Sequence, residues 1–340
     1  MQIGVGLMAV TMKDVATYAG ISIGTVSNYI TGKAPVSPKK QEQIQNAIDA
    51  LGYRVNIAGR NLRKHSFETV GLLIPHLKNT YLLRVASVME ELLRQHGYNI
   101  MISSYHGAVE KEREMFYSMS QRVDAIIYVP SLTTTAWIRE VRQMQEKLPI
   151  VIFNEALAEE CCDCVLVDSR KATKSTVSAL LDRGHKKIGV IMGLEQMFTT
   201  QQRLLGYKEA YEEAGLPVDT SLILYGDYSR NVGAQLCREL LQQNSDVSAI
   251  VVIAYRMTLG AISTLNQCGL REKIPVIGYD ASDLDDVLTP GIGYVYQPYD
   301  QVAQTVVDLV LRRIRKDLRD YPTTILLEAE IRGLDALDRK

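Results

Sequence analysis

The segment that most constrains the fold of this chain is residues 14–31, DVATYAGISIGTVSNYIT. Its pattern predicts two short helices separated by a tight turn, and Gly20 in that turn can adopt a backbone conformation that other residues resist. Ser22 is a favourable N-cap for the second helix, on which Val26 and Ile30 share the inner face. This arrangement predicts a helix-turn-helix, whose second helix enters the major groove of DNA. A purely structural pair of helices is the alternative.

The charge of the chain is divided unevenly. Residues 1–66 contain eight basic and three acidic side chains, whereas the remaining 274 residues contain 30 basic and 36 acidic ones. A basic segment attracts the phosphates of a nucleic acid, and an acidic one is repelled by them. The division therefore predicts a DNA-binding head joined to a body with another function.

A third helix is predicted after the first two, over KKQEQIQNAIDALGY. Ser37 can cap it, with Pro38 at the first helical position, and Gly52 ends it. The spacing of Thr11 and Asp14 matches a capping box at the start of the first helix. The apolar positions of the third helix that share one face are Ile44, Ala47, Ile48 and Leu51. Three such helices can close a small core, so we expect a DNA-binding domain over residues 11–55 and a disordered extension over residues 1–10.

Length and composition set further limits. A chain of 340 residues predicts two or three domains, and no apolar run approaches the ~20 residues that span a membrane, so no membrane partner is expected. The first ten residues lack the basic region and cleavage site of a signal peptide, which predicts a cytoplasmic protein. Since translation from Met12 would remove the predicted cap, we expect a start at Met1 or Met8.

The sequence predicts no enzyme, metal or cofactor. The five cysteines form no paired framework, and CCDC at residues 161–164 has no histidine nearby, so reduced thiols are expected. No GxGxxG follows the first strand of the body, and neither GxxxxGK[ST] nor HExxH occurs. The five histidines fall in no catalytic spacing.

The body, from about Glu68, alternates short apolar runs with amphipathic helical stretches. The predicted strands are VGLLIP, NIMISSY, AIIYVP, IVIFN, VLVD, KIGVIMG, LILYG, AIVVIA, PVIGYD and GYVYQ. Continuous apolar strands that alternate with helices predict an α/β body with parallel, doubly wound sheets covered on both faces. The pattern alone leaves open whether these strands form one large sheet or two lobes.

The chain resembles the LacI/GalR (lactose/galactose repressor) family over nearly its whole length. The resemblance rests on DVATYAGIS and TVSNYI, the ALGY that ends the third helix, the N-x-x-G-R-x-L pattern at Asn56–Leu62, and the VGLLIP strand. It implies a body like that of periplasmic sugar-binding proteins, with two lobes over residues 68–330. This body is expected to bind the effector and to form the dimer. The implied crossovers between lobes lie near 166–169 and 295–299, and ligands then bind between the lobes.

The resemblance assigns residues 56–67 to a hinge that becomes helical on operator DNA. Leu62 matches the leucine that wedges into the central base step of the minor groove, and Asn56 and Arg60 belong to the same motif. Such a wedge senses how readily the DNA deforms. Gly59 stands where relatives carry alanine, and glycine costs ~1 kcal/mol in a helix, so this hinge is expected to fold less readily. A plain flexible linker is the alternative.

The resemblance also places DNA-contacting residues on the helix-turn-helix. Ile23, Gly24 and Asn28 fall at the exposed recognition positions, where asparagine can pair with adenine and isoleucine can touch a thymine methyl group. The residues expected near phosphates or elsewhere along the DNA are Thr11, Ser22, Thr25 and Ser27. The operator sequence cannot be deduced from these residues.

An effector cleft is implied as well, and its residues carry over by position. The candidates are Asn79, Tyr81 and Asn154 in one lobe, Arg203, Tyr228, Tyr255 and Asp280 in the other, and Gln297 and Tyr299 on the second crossover. Arg203, within RLLGY, can bind a hydroxyl, a carboxylate or a phosphate. Ala254-Tyr255 replaces the Asn-Asp pair of many relatives, and Asn154 replaces an aspartate. Fewer carboxylates favour a phosphorylated sugar or another anion.

These features together predict a dimeric repressor that binds a palindromic operator and is controlled by a sugar or sugar phosphate. A regulator gated by a protein partner instead of a small molecule is the alternative. The tail at residues 331–340 is too short for a heptad zipper, which favours a dimer over a tetramer. Whether the effector induces or co-represses is not encoded in any recognisable pattern.

Overall fold

The computed structural model describes residues 10–32, 34–54, 66–131, 134–280 and 292–334. The chain divides into two compact units, Met1–Phe67 and Glu68–Lys340. Three residues predicted to contact DNA from the hinge, namely Asn56, Arg60 and Leu62, lie outside the described residues.

The first unit is a three-helix bundle. Its helices are α1 (Met12–Ala19), α2 (Ile23–Thr31) and α3 (Pro38–Leu51). The buried residues that the three helices share are Val15, Ala16, Val26, Ile44, Ala47 and Tyr53. The capping box predicted for α1 is confirmed, as Thr11 and Asp14 exchange side-chain and backbone hydrogen bonds. Gly20 ends α1 with φ 64°, the left-handed conformation that the turn requires.

The side-chain cap predicted for α3 is wrong. Ser37 does occupy the N-cap position with Pro38 after it, but its hydroxyl makes no capping hydrogen bond. The backbone N–H groups of Lys40 and Gln41 instead donate to the carbonyl oxygen of Ser37, at 2.9 and 3.0 Å. Because the Ser37 carbonyl oxygen accepts hydrogen bonds from these two N–H groups of the first turn, the helix begins without a hydrogen bond to the Ser37 hydroxyl.

The second unit contains two six-stranded sheets, so the body has two lobes and not one large sheet. The first sheet has the order β11-β5-β4-β3-β1-β2, and the second has the order β12-β10-β9-β8-β6-β7. The strands are β1 (Thr69–Ile74), β2 (Asn99–Ser104), β3 (Ala125–Tyr128), β4 (Ile150–Phe153), β5 (Asp163–Val167), β6 (Ile188–Met192), β7 (Ile223–Tyr225), β8 (Ala249–Val252), β9 (Val276–Tyr279), β10 (Ile292–Tyr296), β11 (Thr324–Leu327) and β12 (Glu330–Arg332). Neighbouring strands pair in parallel except β12, which is antiparallel to β10.

Helices cover these sheets. The helices of the second unit are α4 (Thr80–Gln95), α5 (Val109–Ser120), α6 (Thr135–Gln145), α7 (Ser169–Asp182), α8 (Phe198–Glu213), α9 (Arg230–Gln243), α10 (Tyr255–Gln267) and α11 (Tyr299–Ile314). In the first lobe, α4 and α11 share one core with the sheet, and α5 and α6 share another. In the second lobe, α7 to α10 pack into a single core with the sheet. Within the described part of the chain, none of the helices has the length and apolar composition needed to cross a bilayer.

The described chain passes between the lobes at three places. It leaves the first sheet after β5 and returns after β10, within the segments predicted at 166–169 and 295–299. The third passage joins β11 of the first sheet to β12 of the second, and neither strand was predicted. Both are edge strands of three or four residues that are exposed or only partly buried, so they lack the fully buried apolar run of the central strands. Strand β12 also runs across the boundary predicted at residue 330.

A buried ion pair joins the end of α11 to the first sheet. The Arg313 guanidinium donates from Nε and Nη2 to the two carboxylate oxygens of Asp163, at 2.6 and 3.0 Å. The Thr323 N–H donates to the same carboxylate at 2.9 Å. The pair therefore fixes the point from which β11 starts.

Candidate functional site

The first candidate site is the outer face of α2. Ser22 caps the helix by accepting a hydrogen bond from the Thr25 N–H at 3.3 Å, and the two hydroxyls lie 2.9 Å apart. Ile23 is 48% exposed, and Gly24 beside it is exposed too. Ser27 follows in the next turn and is partly buried; its carbonyl accepts a hydrogen bond from the Thr31 hydroxyl. An apolar side chain this exposed at a helix start is available to a partner.

Contacts on the inner side of α2 set the orientation of this face. Val26 is fully buried, and the Tyr29 hydroxyl donates to Oε1 of Gln45 on α3 at 2.9 Å. Asn28 lies between these anchors in sequence and is partly buried. Tyr18 on α1 is 62% exposed, and sequence reasoning did not select it although its polar edge suits a nucleic acid surface.

The second candidate site lies between the lobes of the body, around Arg203. This side chain is only 6% exposed; Nη1 donates to the carbonyl oxygen of Ile253 at 2.9 Å, and Cζ lies 4.2 Å from the centroid of the Tyr279 ring. The Arg203 Nε is buried and has no hydrogen-bond partner among the described residues. A buried donor without a partner is costly, so a polar ligand atom at this point would be strongly favoured.

Asp280 and Gln297 form the polar pair next to Arg203. Gln297 is buried, and its Nε2 donates to both carboxylate oxygens of Asp280, at 2.8 and 3.0 Å. Burial raises the pKa of Asp280 to about 6, while the Gln297 hydrogen bond and the positive charge of Arg203 act in the opposite direction. The carboxylate is therefore held in place to accept hydrogen bonds from a ligand.

Tyr81 brings the first lobe to this cluster. It is 5% exposed on α4, and burial raises the pKa of its hydroxyl, with Asp280 as the next cause. Arg203 lowers the same pKa, so all three groups lie within electrostatic reach of one another. Four of the residues selected from the sequence therefore lie in one cluster, namely Tyr81, Arg203, Asp280 and Gln297.

Other predicted cleft residues have different neighbours. Asn79 is the N-cap of α4 and accepts from the Leu82 N–H at 3.2 Å. The Tyr228 hydroxyl lies 3.3 Å from the Thr200 hydroxyl, in hydrogen-bond contact with α8. Tyr255 begins α10 and is partly buried. Tyr299 begins α11 and packs edge-on against Tyr296, with ring centroids 5.9 Å apart.

Three of the predicted residues have unusual backbone conformations. Asn154, Tyr228 and Asp280 have φ values of 66°, 66° and 59°, in the left-handed region. Asn154 follows β4 directly and Asp280 follows β9 directly, at the carboxyl ends of the strands. Such conformations persist where the surrounding structure enforces them, and they are frequent at ligand sites.

Sequence reasoning missed Glu155, the residue after Asn154. Glu155 is 4% exposed, and its carboxylate accepts a hydrogen bond from the Thr199 hydroxyl at 2.5 Å and from the Thr199 N–H at 3.1 Å. The sequence does place Glu155 just after β4, directly next to Asn154, which was the residue selected there. Glu155 and Asp280 are therefore two carboxyl groups near Arg203, whose positive charge lowers the pKa of both.

Comparisons with known proteins cover both the first unit and the body of the chain. A model for "Periplasmic binding proteins and sugar binding domain of LacI family" matches residues 67–318, and one for "Bacterial regulatory proteins, lacI family" matches residues 11–56. Catabolite control protein A of Priestia megaterium is 30% identical over 317 residues, which are 92% of this chain and 95% of that protein.

Two solved structures extend the comparison. The complex of the transcriptional regulator CelR with cellobiose is 27% identical, with a TM-score of 0.69, and covers 95% of this chain and 98% of its own. The lac repressor dimer bound to operator and the anti-inducer ONPF has a TM-score of 0.83 at 23% identity, with coverage of 95% and 98%. The predicted fold class, a helix-turn-helix head with a two-lobed α/β body, is confirmed.

Proposed function

The chain belongs to the LacI family of bacterial regulatory proteins, and on that premise we propose that it is a dimeric repressor whose binding to a palindromic operator is controlled by a small molecule between its lobes. A two-fold symmetric dimer presents two α2 helices to two half-sites, which is why the operator is palindromic. Because its target is chromosomal DNA, the protein acts in the cytoplasm.

The DNA contacts follow from the exposed face of α2. Ile23 and Asn28 contact bases, Gly24 lets the backbone approach closely, and the hydroxyl groups near the helix start contact phosphates. The hydroxyl groups are those of Thr11, Ser22, Thr25 and Ser27. Asn56, Arg60 and Leu62 act in the minor groove, with Leu62 as the wedge.

The observation that carries the effector site is the buried, unpartnered Nε of Arg203 beside the Asp280–Gln297 pair. A donor and a carboxylate acceptor in one buried cluster suit the hydroxyl groups of a sugar, the ligand class in the CelR–cellobiose structure. Tyr81 and Tyr228 supply aromatic surface, and Asn79, Asn154, Tyr255 and Tyr299 line the approach. Arg203 can bind a sugar hydroxyl or a phosphate, so the proposed effector is a sugar or a sugar phosphate.

Control follows from the position of the site. A ligand that contacts both lobes changes the angle between them, and this alters how the paired heads and hinges fit the operator. The coupling is reciprocal, so operator DNA changes effector affinity by the same factor.

The experiment that tests the effector site is a thermal-shift screen of the full chain against sugars, sugar phosphates, nucleosides and amino acids. A ligand at 100 times its dissociation constant stabilises the folded state by ~2.7 kcal/mol. We expect a sugar to raise the melting temperature, Arg203→Met to abolish that rise, and Arg238→Met, at an exposed arginine of the same lobe, to retain it. An undiminished rise in Arg203→Met would refute the site, and a blank panel would favour a protein co-regulator.

The hinge is tested separately with Leu62→Ala and selected operator DNA. The variant should lose specific binding while retaining weak, salt-sensitive binding to unrelated DNA, because phosphate contacts remain. Equal loss of both kinds of binding would contradict the wedge.

A further inference from the structure

Glu155 caps a helix of the opposite lobe. Helix α8 begins after Met197, whose side chain makes no capping hydrogen bond. Glu155, at the end of β4 in the first lobe, supplies the missing acceptor: its carboxylate receives hydrogen bonds from the backbone N–H groups of Phe198 and Thr199 and from the Thr199 hydroxyl. The first N–H groups of a helix have no partner within it, so an acceptor from outside satisfies them.

This cap lies close to the effector site. Arg203 is four residues after Thr199, about one turn further along α8, and its positive charge acts on the Glu155 carboxylate. Asn154, a predicted cleft residue, donates from Nδ2 to Oε1 of Glu155 at 3.3 Å. Glu155 of the first lobe thus contacts the start of α8, the helix of the second lobe that carries Arg203.

We propose that Glu155 is a positioning residue for the effector cleft: it joins the two lobes in the closed arrangement by capping α8 and so holds Arg203 in place. The proposal rests on the function proposed above, because it concerns the same cleft. It assigns Glu155 no contact with the effector.

Lobe closure then depends on pH. Burial raises the pKa of Glu155 to about 7, and the Thr199 hydrogen bonds and Arg203 oppose that rise. When the lobes separate, water reaches the carboxyl group and its pKa returns towards the ordinary 4.5. Closure therefore takes up a proton, so it is most favourable below 4.5 and loses this advantage as the pH rises to about 7.

The groups that act directly on Glu155 do not titrate near neutral pH, whereas Asp280, which shares Arg203 with it, has a pKa raised to about 6. Besides Arg203, the titratable groups within electrostatic reach are Tyr105, Cys164 and Tyr228. Burial raises the pKa of both tyrosines and takes that of Cys164 to about 12. All three stay neutral between pH 5 and pH 8, so they add no charge in that range.

The experiment measures the distance between the lobes without any ligand. Cys268 in the second lobe is exposed, whereas the other four cysteines are buried, so it takes one label. Lys111→Cys, at an exposed position on α5, supplies the second label in the first lobe. With the two pKa values above, the ratio of open to closed molecules should rise about 70-fold between pH 5 and pH 8.

Two variants in this labelled background decide the proposal. Glu155→Gln keeps the shape of the side chain but cannot ionise, so its distance distribution should change far less between pH 5 and pH 8 than that of the parent, with Asp280 as a remaining titrating group. Glu160→Gln, the same change at an exposed position in the same loop, should respond to pH like the parent. A pH-independent parent, or a pH response in Glu155→Gln as large as that of the parent, would overturn the proposal.

A structural role alone predicts another result. If Glu155 only stabilised the fold, Glu155→Gln would lower the melting temperature without changing the distance response. Because no effector is used, a negative result in the distance measurement does not bear on the effector site. The thermal-shift test of Arg203→Met decides that question separately.

Discussion

Replacing Arg313 tests how strongly the buried ion pair holds the chain's return to the first sheet. The side chains of Arg313 and Asp163 are 1% and 0% exposed, and two hydrogen bonds of 2.6 and 3.0 Å join them. Arg313→Met keeps apolar volume but leaves the Asp163 carboxylate buried, with the Thr323 N–H still donating to it. Removing one partner of such a pair costs about 3–5 kcal/mol, a large part of the about 5–15 kcal/mol that stabilises a typical domain.

Denaturant unfolding at pH 7, followed by circular dichroism, measures this loss as a lower midpoint. Adding Asp163→Asn to Arg313→Met removes the uncompensated charge and should recover part of the stability. Arg94→Met is the matched control, because Arg94 and Glu91 form an exposed pair, and its midpoint should not change. A loss below about 1 kcal/mol in Arg313→Met, or a double variant no better than the single one, would refute the reasoning.

Three further predictions concern separate parts of the molecule. The pKa of Glu155 rises from 4.5 to about 7 on folding. As the pH rises from 4.5 to 7, the parent should therefore lose about 3 kcal/mol of stability relative to Glu155→Gln, and this contribution is fully present below pH 4.5. Parallel stability–pH profiles of the two proteins would contradict this. Gly206→Ala places a Cβ 2.2 Å from the backbone carbonyl oxygen of Arg170, so α7 and α8 must separate at a cost of about 1–3 kcal/mol in denaturant unfolding; an unchanged midpoint would show that the helices shift freely. Gly20→Ala meets no atom within 4 Å but must keep φ near 64°, so thermal unfolding of the first unit should reveal a loss of about 1–2 kcal/mol, with a smaller loss for Gly20→Asn; equal losses would argue against backbone strain.

Local patterns were sufficient for most elements. The helix-turn-helix was predictable because the glycine turn, the Ser22 cap and the apolar spacing all act within a few residues. The ten predicted strands were recognisable as apolar runs, and most of them are central strands, which need apolar residues because both faces are buried. Strands β11 and β12 were missed because they are only four and three residues long and are exposed or partly buried.

The candidate cleft was predictable only in part. Resemblance to a family selected Arg203, Asp280 and Gln297, and the structure brings these side chains together. It could not select Glu155, since a glutamate after a strand is usually exposed. Nor could it predict that Asn79 caps its own helix, which depends on the local backbone.

The sequence by itself determined the kinds of elements, their order and the division into a basic head and an acidic body, because these depend on neighbours in the chain and on summed charge. Only the tertiary structure decided which lobe each element joins and which charges meet. Glu155 and Thr199 are 44 residues apart, and Asp163 and Arg313 are 150 apart. No local pattern encodes such contacts, because the free energy that makes a buried carboxylate tolerable comes from partners that only the folded chain places beside it.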